Sequence, residues 1–148
     1  MANSKRVRVV LDTNVLISAA LKPAGLEAAV VNAVLENALE AWVTDQVWTE
    51  YEEVLARPKF AAVRAESRRI LEALDKRVRR TVAVTASTVA VDEDDNRFLE
   101  CAEAAQAHFL VTGNLRHYPA ESGPTRMVNA RGLFDAGIPV TNSIPPDS

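Results

Sequence analysis

The chain has 148 residues, 48% of them apolar and 25% charged, with a formal net charge of -3 at pH 7; these values fit one globular domain long enough to bury a full core. No apolar run approaches the roughly 20 residues a membrane span needs, and the charged start MANSKR is followed by no apolar stretch of the signal-peptide kind, so a cytoplasmic protein with no membrane association is expected. Cys101 is the only cysteine, which excludes an intrachain disulfide and a cysteine zinc cluster.

The first element is a run of β-formers at 7–11 (VRVVL), short enough to be a buried parallel strand. It ends at Asp12, and Thr13-Asn14 open a short helix over 13–20, broken at Lys22-Pro23-Ala24-Gly25. A longer helix is predicted over 26–39, where Leu26, Ala29, Val30, Ala33, Val34 and Leu39 recur at helical spacing. Residues 40–44 read as a second strand. Thr44 or Asp45 then caps a helix from 46 to 56 that stops at Arg57-Pro58. A further helix is predicted over 61–80, with Val63, Ile70, Leu71, Leu74 and Val78 on one side. Nine basic residues against three acids give 57–80 a local +6, leaving -9 for the remainder. Arg64, Arg68, Lys76 and Arg79, opposite the apolar face, are the expected contacts to a phosphate backbone.

Residues 82–91 (VAVTASTVAV) read as strand plus loop, followed by the acidic DEDDN at 92–96 and a helix over 96–107. HFLVT at 108–112 is the next buried strand, ending in Thr112-Gly113-Asn114. A loop at 119–125, a last strand near 126–129, a short helix at 130–136 and a Pro-rich tail at 139–148 complete what reads as a single domain, 1–148, without repeat or linker.

The chemistry is carried by acids from separate segments. In parallel sheets ligands sit beyond the carboxyl ends of the strands, which puts Asp12 in the site. Glu50 shares the apolar stripe of Val47 and Val54, and an inward carboxylate must be paired, protonated or bound to a cation. Asp95 shares an inward face with Phe98 and Leu99. The dipole at a helix N-terminus favours acids there, yet the four consecutive acids at 92–95 repel one another, and a cation relieves that repulsion. Thr112 and Asn114 present a hydroxyl and an amide to the same edge as Asp12. Hard oxygen donors of this kind suit Mg²⁺ or Mn²⁺, and a carboxylate-held metal activates water against a phosphodiester.

Four stretches, VVLDTNVLISA (9–19), TDQVWTEYEEVLARPKF (44–60), DEDDNRFLECAEAAQAHFLVTGN (92–114) and MVNARGLFDAG (127–137), resemble in order the PIN-domain proteins, in the branch found as ribonuclease toxins of bacterial toxin–antitoxin pairs. The resemblance implies a three-layer α/β/α sandwich with a mostly parallel five-stranded sheet. It also implies a Mg²⁺- or Mn²⁺-dependent endoribonuclease acting on single-stranded RNA, a cognate antitoxin as partner, and a homodimer. Asp12, Glu50 and Asp95 match the family's metal-binding acids, with Asn14 and Ser18 as supporting polar groups. The chain departs from the pattern at Asn114, where the branch commonly carries an acid, and at His117, often Asp in related toxins. Asp92 is the residue placed to compensate. A haloacid-dehalogenase reading fails because Asn14 stands where a second Asp is needed, and a receiver reading fails because VTGN supplies no Lys. The alternative within the family is a degenerate PIN domain that binds RNA or a protein without cleaving.

Overall fold

A computed structural model of the chain describes residues 6–83 and 95–138, with the side chain of Asp95 outside that description. Strand β1 (Val7–Leu11) lies near the middle of the sheet, and Val9, Val10 and Leu11 are all essentially inaccessible to solvent. Consecutive strand residues point to opposite faces, so burial of all three means that both faces are covered. This is the three-layer α/β/α arrangement expected from the resemblance. The sheet contains β2 (Leu39–Val43), β3 (Arg79–Arg80), β4 (Phe109–Val111), β5 (Glu121–Ser122) and β6 (Thr125–Val128) besides β1, in the order β3-β2-β1-β4-β6-β5. Every pairing is parallel except β5 with β6.

The sheet therefore has six strands among the described residues rather than the five expected. The two strands not predicted, β3 and β5, are two-residue edges that carry no hydrophobic periodicity. Arg79 and Arg80 pair with Trp42 and Val43, and they end the predicted 61–80 helix early. That segment is a 3₁₀ stretch (Pro58–Val63) followed by α4 (Arg64–Asp75). Charged, very short edge strands resist pairing with other chains. β5 forms inside the 119–125 loop because Gly123, at φ 58, supplies the left-handed turn back into β6. Residues 82–83 of the predicted 82–91 strand are irregular, and its remainder, like Asp92 and the 139–148 tail, lies outside the described residues.

The helices are α1 (Thr13–Leu21), α2 (Leu26–Leu35), α3 (Asp45–Leu55), α4, α5 (Asp95–Ala105) and α6 (Ala130–Asp135). Helix α2 stops four residues short of its predicted end. Asn37 takes φ 67, its amide bonds Val34 O at 3.0 Å, and Ala38 N bonds Ala33 O at 2.8 Å. This is a left-handed helix stop that asparagine tolerates, and it releases Leu39 into β2. Among the described residues no single helix is long and apolar enough to cross a membrane.

Thr44 caps α3, its hydroxyl accepting from Val47 N at 3.1 Å while itself buried. Thr44→Ala should destabilise the fold by about 1 kcal/mol, measured by urea titration, with the loss seen first in probes of α3.

Candidate active site at the carboxyl edge of the sheet

The carboxyl ends of β1 and β4 lie side by side because Leu11 pairs with Val111, and the ladder continues through Asp12 N to Val111 O at 2.9 Å. This register places Asp12 against Thr112, a hundred residues apart in sequence. The Thr112 hydroxyl donates to Asp12 Oδ2 at 2.8 Å, and the Tyr118 hydroxyl donates to the same oxygen at 3.0 Å. Asp12 is only 5% exposed and Thr112 fully buried. Burial raises the Asp12 pKa above the usual carboxylate value. The two hydroxyls and the backbone amides of Asn14 and Thr13 pull it back only in part.

Asn14 works as a clamp. Its Oδ1 accepts from Gly113 N at 2.8 Å and its Nδ2 donates to Thr112 Oγ1 at 3.5 Å, while Asn114 N donates to the same hydroxyl at 3.0 Å. A side chain at position 113 would start 3.3 Å from Asn14 Oδ1, so glycine permits the close approach. Thr112 and Asn14 therefore position the Asp12 carboxylate and the 112–114 turn. Asn114 meets this network through its backbone amide. Ser18 lies one helical turn beyond Asn14 in α1 and is half-buried. His117 ends a short 3₁₀ turn, Leu115–His117, that delivers Tyr118.

Glu50 sits in α3 and is half-buried. The next residue, Tyr51, is buried and donates its hydroxyl to Leu11 O at 2.6 Å, tying α3 to the strand that carries Asp12. Burial pushes the Tyr51 pKa well above its ordinary value, so it remains a neutral donor. Arg97 Nη1 donates to Glu50 Oε1 at 3.3 Å. Beside this pair opens a cavity of about 310 Å³, lined by Asp45, Gln46, Thr49, Glu53 and Arg97. Asp95 is the first residue of α5, two positions before Arg97.

The expected backbone contacts separate into two groups. Arg64 is half-buried and donates to Ala56 O at 3.1 Å and Arg57 O at 3.2 Å, closing the end of α3. Arg79 belongs to β3, not to a helical face, and lies 3.5 Å from Glu40. Arg68 and Lys76 are exposed. Cys101 is buried, and burial pushes its thiol up to about 12, which leaves it unreactive.

Tyr118, Arg97 and Tyr51 were missed in the sequence. The one signal available was that a buried tyrosine needs a partner for its hydroxyl; nothing in the spacing names that partner. Among the described residues no three Asp, Glu, His or Cys side chains come close enough to hold a metal. Of the three expected acids, only Asp12 and Glu50 have described side chains. Their chemistry fits a hard cation: Asp12 is a buried carboxylate held by one oxygen, in surroundings rich in oxygen donors.

A parallel α/β sheet with a buried carboxylate at the end of its central strand defines the class of protein. The chain belongs to the PIN-domain family, whose model matches residues 8–116. It is 29% identical over 112 residues to an uncharacterized protein of Methanocaldococcus jannaschii, covering 74% of this chain and 72% of the relative. Its fold is similar to VapBC2 from Rickettsia felis, solved bound to a DNA fragment from their promoter. That match has a TM-score of 0.57 and 16% identity, covering 83% of this chain and 98% of the other.

Two expectations follow for Asp12. Because folding raises its pKa above 3.8, the folded state holds the proton more tightly than the unfolded chain. Stability from this group is then present below pH 3.8 and falls as pH rises through the folded-state value. Asp12→Asn should raise Tm at pH 7 in chelator, and the gain should vanish as pH drops below 3.8; a pH series of melting curves checks this. Tyr118→Phe removes a hydroxyl from a buried carboxylate and should cost about 1.5–3 kcal/mol near neutral pH, measured by denaturant unfolding.

Proposed function

We propose that this single-domain protein is a Mg²⁺- or Mn²⁺-dependent endoribonuclease that hydrolyses phosphodiester bonds of single-stranded RNA in the cytoplasm. We read it as the toxin of a toxin–antitoxin pair. The observation that carries the reading is Asp12, a carboxylate buried at the sheet's carboxyl edge with one oxygen fixed by Thr112 and Tyr118, in a chain of the PIN-domain family. Leaving such a charge uncompensated is costly, which favours a cation as its partner.

Asp12, Glu50 and Asp95 would hold the metal, with Asp92 making up for the neutral Asn114. The bound metal would activate water and neutralise charge on the phosphodiester. The protein's own part is orientation: Thr112, Asn14 and Tyr118 fix Asp12, and Tyr51 holds the helix of Glu50 against the same strand. Exposed Arg68 and Lys76 would meet the RNA backbone. The fold likeness to VapBC2, solved with promoter DNA, supports an antitoxin partner, with a homodimer as the working assembly.

A second reading, a PIN domain that binds RNA or a protein without cleavage, is favoured by one observation: Glu50 is engaged by Arg97 rather than open. Cleavage of a labelled single-stranded RNA separates the two. Activity should appear with Mg²⁺ or Mn²⁺, disappear with chelator, and fall by about 10²–10³-fold in Asp12→Asn. Cleavage that is absent in the wild type, or equal in the wild type and Asp12→Asn, would leave the binding role.

A further inference from the structure

Where α3 ends against α4 the chain encloses a second cavity, of about 220 Å³, and neither Asp12 nor Glu50 is among its lining residues. Two polar atoms in its walls are left unused by the fold. Ser67 is only 2% exposed, and its hydroxyl has no hydrogen-bond partner. It does not take the carbonyl one turn back, the usual resort of a serine inside a helix. Arg64 is fixed through Nη2, which donates to Ala56 O at 3.1 Å and Arg57 O at 3.2 Å, while its Nε is buried without a partner. An unmet buried donor is costly. Arginine N–H groups only donate, so a group that serves both atoms must be an acceptor. The remaining walls are the apolar Leu55, Ala56 and Leu71, the exposed Arg68, and Glu52, whose Oε2 accepts from Trp48 Nε1 at 3.1 Å.

We propose that this cavity is a binding site for a carboxylate carried on a short apolar body. The Ser67 hydroxyl, turned to the ligand by a change of χ1 well, and Arg64 Nε donate to the carboxylate, and Arg68 adds charge. Two arginines against Glu52 leave one net positive charge in the walls. A carboxylate neutralises it, whereas a dianionic phosphate exceeds it. The volume lies below the roughly 300–1,000 Å³ of drug-sized ligand sites, which excludes a nucleotide and suits a few carbon atoms against Leu55, Ala56 and Leu71. Water would satisfy the two donors but leave those apolar walls wet, and a bond from arginine to an ionised acceptor is roughly twice as strong as a neutral one. The site stands apart from the nuclease reading: only Arg68 is shared with the proposed RNA face, and Ser67 is not.

The test titrates the full chain with sodium hexanoate, read by amide chemical shifts and by Tm, against sodium chloride at equal ionic strength. Hexanoate should bind saturably with a Kd of about a millimolar, shift amides of α3 and α4, and raise Tm. Hexanol and hexyl phosphate should bind at least about fivefold more weakly. Ser67→Ala loses no bond in the free protein, so its Tm without ligand should be unchanged or higher, while its hexanoate affinity falls about fivefold. The exposed substitution Arg68→Gln should weaken hexanoate about tenfold. An acetylated alanyl-leucine dipeptide with a free carboxyl end separates the sources: tighter binding than hexanoate identifies a polypeptide chain end, and no gain identifies a small free acid. Three results overturn the proposal: no shift beyond that of chloride, hexanol binding as well as hexanoate, or hexanoate affinity unaltered in both variants. A lowered Tm of unliganded Ser67→Ala also overturns it, because the hydroxyl would then be bonded within the protein.

Discussion

The carboxylate of Asp12 is the most demanding group in the structure, because it is ionisable, nearly inaccessible and placed where the central strand ends. A charge in that position needs donors from outside its own segment. They come from Thr112 and Tyr118, which reach it only if β1 and β4 are paired in the observed register. A slip of one residue would turn Asp12 to the other face and leave two buried hydroxyls and a carboxylate without partners. The hydrophobic alternation and the polar end of the strand thus specify the same register. The network is also shared: Thr112 Oγ1 donates to Asp12 and accepts from the Asn114 amide and from Asn14, so displacing any member disturbs the others.

The second acid is positioned by different means. Glu50 has no bond to Asp12; its placement is inherited from α3. That helix is fixed at its start by the Thr44 cap, at its centre by Tyr51 bonded to Leu11 O, and at its end by Arg64 on the carbonyls of Ala56 and Arg57. Tyr51 is further packed against Trp48 and Phe98, whose rings lie 5.6 and 6.4 Å away. The two acids are therefore held with different stiffness. Asp12 is locked by direct bonds to a buried oxygen, whereas Glu50 is carried by its helix and meets Arg97 of α5 at 3.3 Å.

Strong local signals were readable in the sequence. β1, the 3.6-residue stripe of α3 and its Thr44 cap, and the glycine-permitted turn after Thr112 follow from periodicity, capping and turn chemistry within a few residues. Elements defined by distant partners were not. Arg79-Arg80 becomes a strand only because Trp42 and Val43 offer an open edge, and α2 ends at Leu35, ahead of the left-handed Asn37, although the apolar spacing runs on to Leu39. The site divides in the same way. Asp12, Asn14, Thr112 and Glu50 are visible as polar residues at strand ends or on apolar stripes. Tyr118 and Arg97 matter through partners 106 and 47 residues away, a relation that one sequence does not encode locally. The expected roles of Asp92 and the Asp95 side chain fall outside the described residues.

The basic segment changes meaning once its partners are known. Its local +6 suggested a continuous face for a polyanion, yet several of its cations are engaged in holding the molecule together. Arg69 pairs with Glu66, Arg77 donates to Leu35 O, Arg79 faces Glu40, and Arg80 bridges Asp75 and Asp45 while stacking over Trp48. A charge matched within about 4 Å contributes little at the distance of an approaching phosphate, because the pair's field falls faster than that of a single ion and salt screens the remainder. What is left for substrate attraction is the exposed Arg57, Lys59, Arg68 and Lys76, against a remainder of the chain that is strongly acidic. On the nuclease reading, surface charge alone is a poor means of bringing RNA to an edge built around Asp12 and Glu50. On that reading a divalent cation would bear on substrate binding as much as on hydrolysis, because it would set positive charge beside the carboxylates themselves.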